Sequence, residues 1–257
     1  MAPPPFPRFN VLGVEVSALG FEETRDLIVG TKGQLRRGYI CLGTAHGLTE
    51  ARTDSDLRRI FNGAWLTTPD GMPLVWLGPP GTERVYGPDL MLAVCDAGRA
   101  VRLRHYFFGG VPGVAGELQR QLTVRFPGLE VVGTFTPPFR ELNPTEIDQL
   151  KREVSQSRPD VIWVGLGTPK QERFMARFAS QLDAGVLIGV GAAFDFHSGR
   201  VPQAPRWIQR SGFEWLFRLA TEPRRLGPRY LRTNPMFALR VVAQRLGLKK
   251  YPTSEGG

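Results

Sequence analysis

The sequence predicts an α/β protein built on a parallel, doubly wound sheet and followed by basic helical segments. Three observations carry that prediction. Short runs of continuous apolar residues, such as Tyr106–Phe108, Val161–Leu166 and Val186–Val190, alternate with helical patterns, as in strands buried on both faces. Several runs end in glycine turns that open a helix. After Gly199 the strand pattern stops, and three Arg-rich helical segments follow, near 205–220, 222–232 and 234–247, separated by Pro223 and Pro235.

The elements follow in chain order. Residues 1–10, MAPPPFPRFN, read as a flexible arm. Phe21 to about Gly30 reads as a short helix, and Tyr39–Leu42 as a strand entering the turn-rich Gly43–Gly47. Thr53, a good N-cap residue, opens a helix to Asn62. The run AWLTTPDGMPLVWLG is apolar on both sides of Pro69-Asp70-Gly71, which puts Asp70 at the end of an element. The Tyr106–Phe108 strand turns through Gly109–Gly113 into a helix reaching Arg125, which Pro127-Gly128 stops. Leu129–Val132 is a second strand, Pro144 opens a helix ending near Ser157, and Val161–Leu166 leads through Gly167-Thr168-Pro169 into a helix from Lys170. This gives a core over 1–200 and a basic helical appendage over 201–257.

Composition narrows the function classes. The 257 residues are 42% hydrophobic and 22% charged, which fits a globular protein and excludes a disordered one. Cys41 and Cys95 are the two cysteines, too few for a disulfide framework and without zinc-site spacing, so a reducing compartment is expected. No apolar run approaches the roughly 18 residues of a membrane span. A proline cluster stands where a signal peptide would carry its apolar stretch, which argues against secretion. The net charge of +9 is unevenly distributed: residues 206–257 hold 11 Lys and Arg against 3 Asp and Glu. Such a tail fits a polyanionic partner, or simply a solvated helical surface.

Two loops offer backbone N–H groups beside a helix start, GGVPG at 109–113 and GLGTP at 165–169. That arrangement suits phosphate, although tight turns also use glycine for steric reasons. Neither loop matches GxGxxG, and GxxxxGK[ST] does not occur, so dinucleotide and P-loop chemistry are disfavoured, and with them an epimerase or dehydrogenase. Asp70 and Asp195 follow strands, at the sheet edge where ligands bind, or else serve as turn and cap residues. Asp54-Ser55-Asp56 has D-x-D spacing but reads as helix capping. His46, His105 and His197 lack metal-ligand spacing, and no metal or cofactor is expected. A nucleic-acid-binding α/β protein without catalysis is the competing class; it would use the basic tail and leave the glycine loops and Asp70 unexplained.

Five blocks carry a resemblance: TPDGMPLVW around Asp70, RVYGPDLM at 84–91, FFGGVPG at 107–113, PDVIWVGLGTPKQERFM at 159–175, and the long block from Gly189 to Tyr230 containing EWLFRLATEPRRL. In this order and spacing they resemble the WecG/TagA/CpsF glycosyltransferases (glycosyltransferase family 26) over roughly residues 38–232. The resemblance implies a Rossmann-like core with a membrane-meeting C-terminal appendage. It implies an inverting, metal-independent hexosyltransferase that moves a sugar from a UDP-sugar to a polyprenyl-diphosphate-linked acceptor in cell-surface or exopolysaccharide synthesis.

The resemblance also implies site roles. Asp70 matches the general base and Arg84 an arginine at the donor diphosphate. Gln171 and Asp195 match positions lining the nucleotide-sugar pocket, with Gly109, Gly110, Gly167 and Pro169 approaching the nucleotide. Arg218, Arg225 and Arg229 match arginines of the appendage block that reach the acceptor diphosphate. Arg240, Arg245, Lys249 and Lys250 would face anionic lipid, with Trp207, Trp215, Phe217 and Tyr230 divided between the interface and the core. Many members carry Thr-x-Asn near the first strand; here Thr44 is followed by His46, which leaves the donor sugar open, with His46 as a sugar contact, a helper of Asp70 or a structural residue. The expected location is the cytoplasmic face of the inner membrane, attached peripherally, with no nucleic-acid partner. Homo-oligomerisation is compatible with the sequence and is not specified by it.

Overall fold

The computed structural model describes residues 6–34 and 38–253. In chain order the elements are β1 (Arg8–Val11), β2 (Val14–Ser17), α1 (Phe21–Val29), β3 (Gly38–Gly43), α2 (Ala45–Ala51), α3 (Ser55–Gly63), β4 (Leu66–Pro69), α4 (Met72–Val75), α5 (Gly87–Gly98), β5 (Arg104–Gly109), α6 (Val114–Arg125), β6 (Glu130–Phe135), α7 (Pro144–Ser157), β7 (Val161–Gly165), α8 (Lys170–Phe178), β8 (Val186–Gly189), α9 (Ala193–His197), α10 (Arg206–Ser211), α11 (Glu214–Thr221) and α12 (Pro223–Arg245). A six-stranded sheet has the order β4-β3-β8-β7-β5-β6, and the registers of β3 with β8, β8 with β7, β7 with β5, and β5 with β6 are parallel. The fold is therefore α/β and Rossmann-like, as the sequence predicts.

The chain divides into two compact units. One holds the described residues of Phe21–Leu42 together with Tyr86–Pro202. Strands β5, β7 and β8 are buried because their apolar runs leave no polar face for water: Phe107, Ile162, Trp163, Val164, Leu187 and Ile188 are all inaccessible or nearly so, whereas the edge strand β6 is only partly buried. Phe108 stacks on Phe135 and on Phe174 of α8, tying helix to strands. Helix boundaries follow their local chemistry. Asn143 caps α7 and forms a capping box with Glu146, while Pro144 occupies the first turn, where its missing N–H costs nothing.

The other unit holds the described residues up to Gly20, Gly43–Val85, and the chain from Gln203 onward. The described segment after residue 202 is thus grouped with 43–85 and the N-terminal residues. Here the arm expected over 1–10 is corrected: residues 1–5 lie outside the described residues, and Arg8–Val11 is a strand paired antiparallel with β2. Leu12 and Gly13, both at positive φ, make the two-residue turn, whose twist matches that of the strands. Asn10 closes this hairpin by accepting from Gly13 N–H, and Gln244 of α12 holds it by accepting from Leu12 N–H and donating to Asn10 O.

Other local expectations shift for identifiable reasons. Asp54, not Thr53, caps α3, because its carboxylate reaches Leu57 N–H. The turn-rich 43–47 opens α2, with Thr44 Oγ accepting from Gly47 N–H. The expected helix over 205–220 is cut at Gly212, which is left-handed at φ 81°. The expected break at Pro235 is absent: α12 runs through Pro228 and Pro235. Both prolines lie on the exposed side, so the carbonyls they leave unbonded face water.

Candidate functional site

The residues singled out above fall into two groups, one on each unit. In the first group the buried strand β4 delivers Asp70 at its C-terminal end, and the local path is fixed by Asp70 N–H donating to Gly43 O and Val85 N–H donating to Pro69 O. This brings Arg84 to Asp70. The Arg84 guanidinium donates from Nε to the Asp70 carbonyl, from Nη1 to Gln209 O at 3.0 Å, and from Nη2 to Glu214 Oε2. Both side chains of the Arg84–Glu214 ion pair are largely buried, at 16% and 12% exposure. One planar cation therefore ties together the Asp70 loop, α10 and α11, a task that a lysine's single ammonium could not perform with the same geometry.

Around this centre, Thr44 caps α2, and His46, one residue into that helix, has Nε2 3.6 Å from Glu50 Oε1. Arg218 lies one turn beyond Glu214 on α11 and is half-buried. Arg225 and Arg229 occupy positions in α12, and their side chains lie outside the described ones. The basic residues expected to face lipid are engaged by the protein in part. Arg240 donates to Thr49 O and Arg245 to Trp76 O and Leu77 O, while Lys249 stands over the Tyr251 ring. Tyr230 is buried edge-to-face with Trp215, whereas Trp207 is 73% exposed.

The second group sits at the C-terminal ends of β5, β7 and β8. Gly109 and Gly165 pass so closely that a Cβ on Gly109 would lie 2.5 Å from Gly165 O, and a Cβ on Gly165 would meet the Phe194 ring at 2.6 Å. Both glycines are steric necessities of this crossing. Gly110 N–H donates to Gly165 O. Gly167 N–H donates to Gln171 Oε1 at 3.2 Å, so these two loop amides are engaged internally. Gly191 N–H also donates to Gln171 Oε1, at 3.1 Å. Pro169 precedes α8. Asp195 lies in α9, where its backbone carbonyl receives Arg200 N–H, Val201 N–H and the Ser198 hydroxyl.

Sequence reasoning missed Glu214 and Gln209. Glu214 stands in the EWLFRL block four residues before Arg218, so its signal was present but only pairing with a distant arginine gives it meaning. Glu172, inaccessible to solvent, accepts from Thr168 Oγ1 at 2.9 Å and Gln171 Nε2 at 3.0 Å. Burial, and then the nearby Glu172 carboxylate, push the Cys41 thiol well up, so it stays protonated and is no nucleophile. Among the described residues no His, Cys, Asp or Glu cluster could hold a metal ion, and no helix is long and apolar enough to cross a membrane.

Comparison with known proteins gives a consistent result. The model of the Glycosyl transferase WecG/TagA/CpsF family matches residues 9–251. The chain is 29% identical over 180 residues to an N-acetylglucosaminyldiphosphoundecaprenol N-acetyl-beta-D-mannosaminyltransferase of Bacillus spizizenii, covering 68% of each protein. It is 24% identical over 207 residues to the enzyme of that name from Bacillus subtilis, covering 79% of this chain and 78% of the relative. The chain belongs to the WecG/TagA/CpsF family of glycosyltransferases.

Proposed function

We propose that this glycosyltransferase moves a sugar from a UDP-sugar to a polyprenyl-diphosphate-linked acceptor, by a single inverting displacement that needs no metal ion. The relatives' names specify an acceptor of N-acetylglucosamine on undecaprenyl diphosphate, and the same acceptor is the first choice here. The observation that carries the reading is the placement of Asp70 at the end of β4 with Arg84 bonded to its carbonyl.

In the proposed step the acceptor hydroxyl oxygen attacks the anomeric carbon as the bond from that carbon to the UDP oxygen breaks. The hydroxyl proton passes to the Asp70 carboxylate, and UDP leaves with its diphosphate charge. Arg84 supplies a fixed positive charge for that leaving group, the task a divalent cation would otherwise perform; it then shares its guanidinium between the diphosphate and Glu214. Thr44 and His46 serve the sugar side, and the relatives' mannosaminyl donor is one of the candidates to be screened. Gly109, Gly110, Gly167, Pro169 and Asp195 serve the nucleotide side, with Gln171 on the same side. Arg218, Arg225 and Arg229 take the acceptor diphosphate.

The chain would work at the cytoplasmic face of the inner membrane. Exposed Trp207, Leu231, Leu239, Val242, Leu246 and Leu248 offer apolar contact beside a tail of net charge +8 over 206–257.

The test is thermal stability with UDP, ADP, GDP and NADH, with and without EDTA, followed by transfer assays with a panel of UDP-sugars and a prenyl-diphosphate N-acetylglucosamine. A ligand that binds only the folded protein raises the midpoint. UDP alone should raise it, with or without EDTA, and one donor should yield a disaccharide-lipid product. A shift that vanishes with EDTA contradicts metal independence, and no response to UDP contradicts the donor.

A further inference from the structure

The side chain of Gln171 stands where a small anion would stand, between two glycine loops. Its Oε1 accepts from Gly167 N–H at 3.2 Å in the loop after β7, and from Gly191 N–H at 3.1 Å in the loop after β8. Both glycines are left-handed, at φ 74° and 52°, a conformation that aims their N–H groups away from the strand path. The opposite end of the amide is also fixed. Nε2 donates to Glu172 Oε1 at 3.0 Å, and the same oxygen accepts from Thr168 Oγ1 at 2.9 Å.

Only one orientation of the amide satisfies all these partners. With Oε1 and Nε2 exchanged, an NH2 group would face two N–H donors and a carbonyl oxygen would face a carboxylate. Gln171 is 3% exposed and Glu172 is inaccessible. The space itself is made by Gly189, where a Cβ would lie 2.9 Å from Gln171 Nε2 and 2.8 Å from Met175 Cε.

We infer that Gln171 and Glu172 are positioning residues: the carboxylate orients the amide, and the amide oxygen holds the two glycine loops in the arrangement that receives a nucleoside diphosphate. Gln171 therefore acts through the loops and does not itself touch the nucleotide. The ligand class rests on the function proposed above; the joining of the loops does not. Preorganised loops bind without first losing their freedom, so release of the staple weakens binding.

The experiment measures two things on the full-length protein: hydrogen exchange of the Gly167 and Gly191 amides without ligand, and UDP affinity by calorimetry. Gln171→Glu sets two carboxylates against each other in a buried place, so one must take a proton or move away. Loop protection should fall and UDP affinity drop at least tenfold at pH 8. Affinity should recover as the pH is lowered towards 5, because a shared proton replaces the lost N–H donor, while wild-type affinity varies less. The exchanged pair Gln171→Glu with Glu172→Gln restores a carboxylate facing the glycine amides and an amide donating to it, and should return affinity to within about threefold of wild type.

Thr168→Val removes one donor to Glu172 with little change in shape. It keeps the test open if Gln171→Glu does not fold; a loss of about threefold is expected. Wild-type protection and affinity in Gln171→Glu, or an exchanged pair no better than the single variant, overturns the inference; if Gln171→Glu does not fold, unchanged affinity and protection in Thr168→Val do so. A wild-type protein that ignores UDP yet shows protected Gly167 and Gly191 amides, lost in Gln171→Glu, overturns the proposed donor and leaves the staple standing.

Discussion

In one unit of this protein Gln171 reaches amides only four and twenty positions away, while in the other Arg84 reaches residues 125 and 130 positions along the chain. The first arrangement depends on glycines that can take left-handed conformations and on a helix start close in sequence. The second depends on one buried cation finding partners on helices formed far downstream. Damage to the first should therefore stay local and show in ligand affinity. Damage to the second should spread and show in stability.

The largest stability effect is expected at that distant ion pair. Glu214→Ala leaves Arg84 largely buried with its carboxylate gone and should lower the unfolding free energy by about 3 kcal/mol, the cost of breaking a buried pair from one side. Urea denaturation checks it, and Glu214→Gln, which keeps an acceptor, should cost less. A loss below about 1 kcal/mol would mean that the pair does not hold α10 and α11 in place.

A contrasting effect belongs to the unit with the glycine loops. His105 is inaccessible to solvent, and its Nδ1 accepts from Trp163 Nε1 at 3.0 Å. Burial is the main cause that lowers its pKa from 6.5 to about 4. Because the folded form holds its proton more weakly, the unfolded chain binds more protons between pH 6.5 and 4, and stability must fall as the pH drops through that window. The fall from this one residue is about 3 kcal/mol. His105→Gln, which keeps an acceptor for the indole, should flatten that part of the profile in denaturation measured from pH 7 to 4.

The smallest effect is expected at the hairpin. Gln244→Ala removes the acceptor of Leu12 N–H and the donor to Asn10 O. Both bonds are partly open to water, so the cost is about 1 kcal/mol, read as faster amide exchange in β1 and β2.

The same contrast explains what the sequence disclosed. Strands β5, β7 and β8 were legible because each is a continuous apolar run ended by glycine, a pattern set by burial on both faces and readable within ten residues. Asp70 was legible for a related reason, since Pro69 and Gly71 mark the end of β4. The hairpin was not, because Arg8–Val11 has little strand character by itself and is held by Gln244 and by Tyr251, whose carbonyl accepts from Asn10 Nδ2. The continuity of α12 was hidden as well: prolines ordinarily end a helix, and only their position on its exposed side shows why these do not. At the candidate site, Arg84 was found through its motif, but Glu214 was passed over because a partner 130 positions away leaves no local trace.

In the proposed mechanism Asp70 takes the acceptor proton while the rest of the protein binds the substrates. That role is tested most directly by comparing wild type and Asp70→Asn in transfer from the identified UDP-sugar to prenyl-diphosphate N-acetylglucosamine, with UDP affinity measured on the same samples. Asp70→Asn should lose about 10²–10⁴-fold in turnover, the range expected when a general base is removed, with UDP affinity within about threefold of wild type. Near-normal turnover in Asp70→Asn would contradict that role.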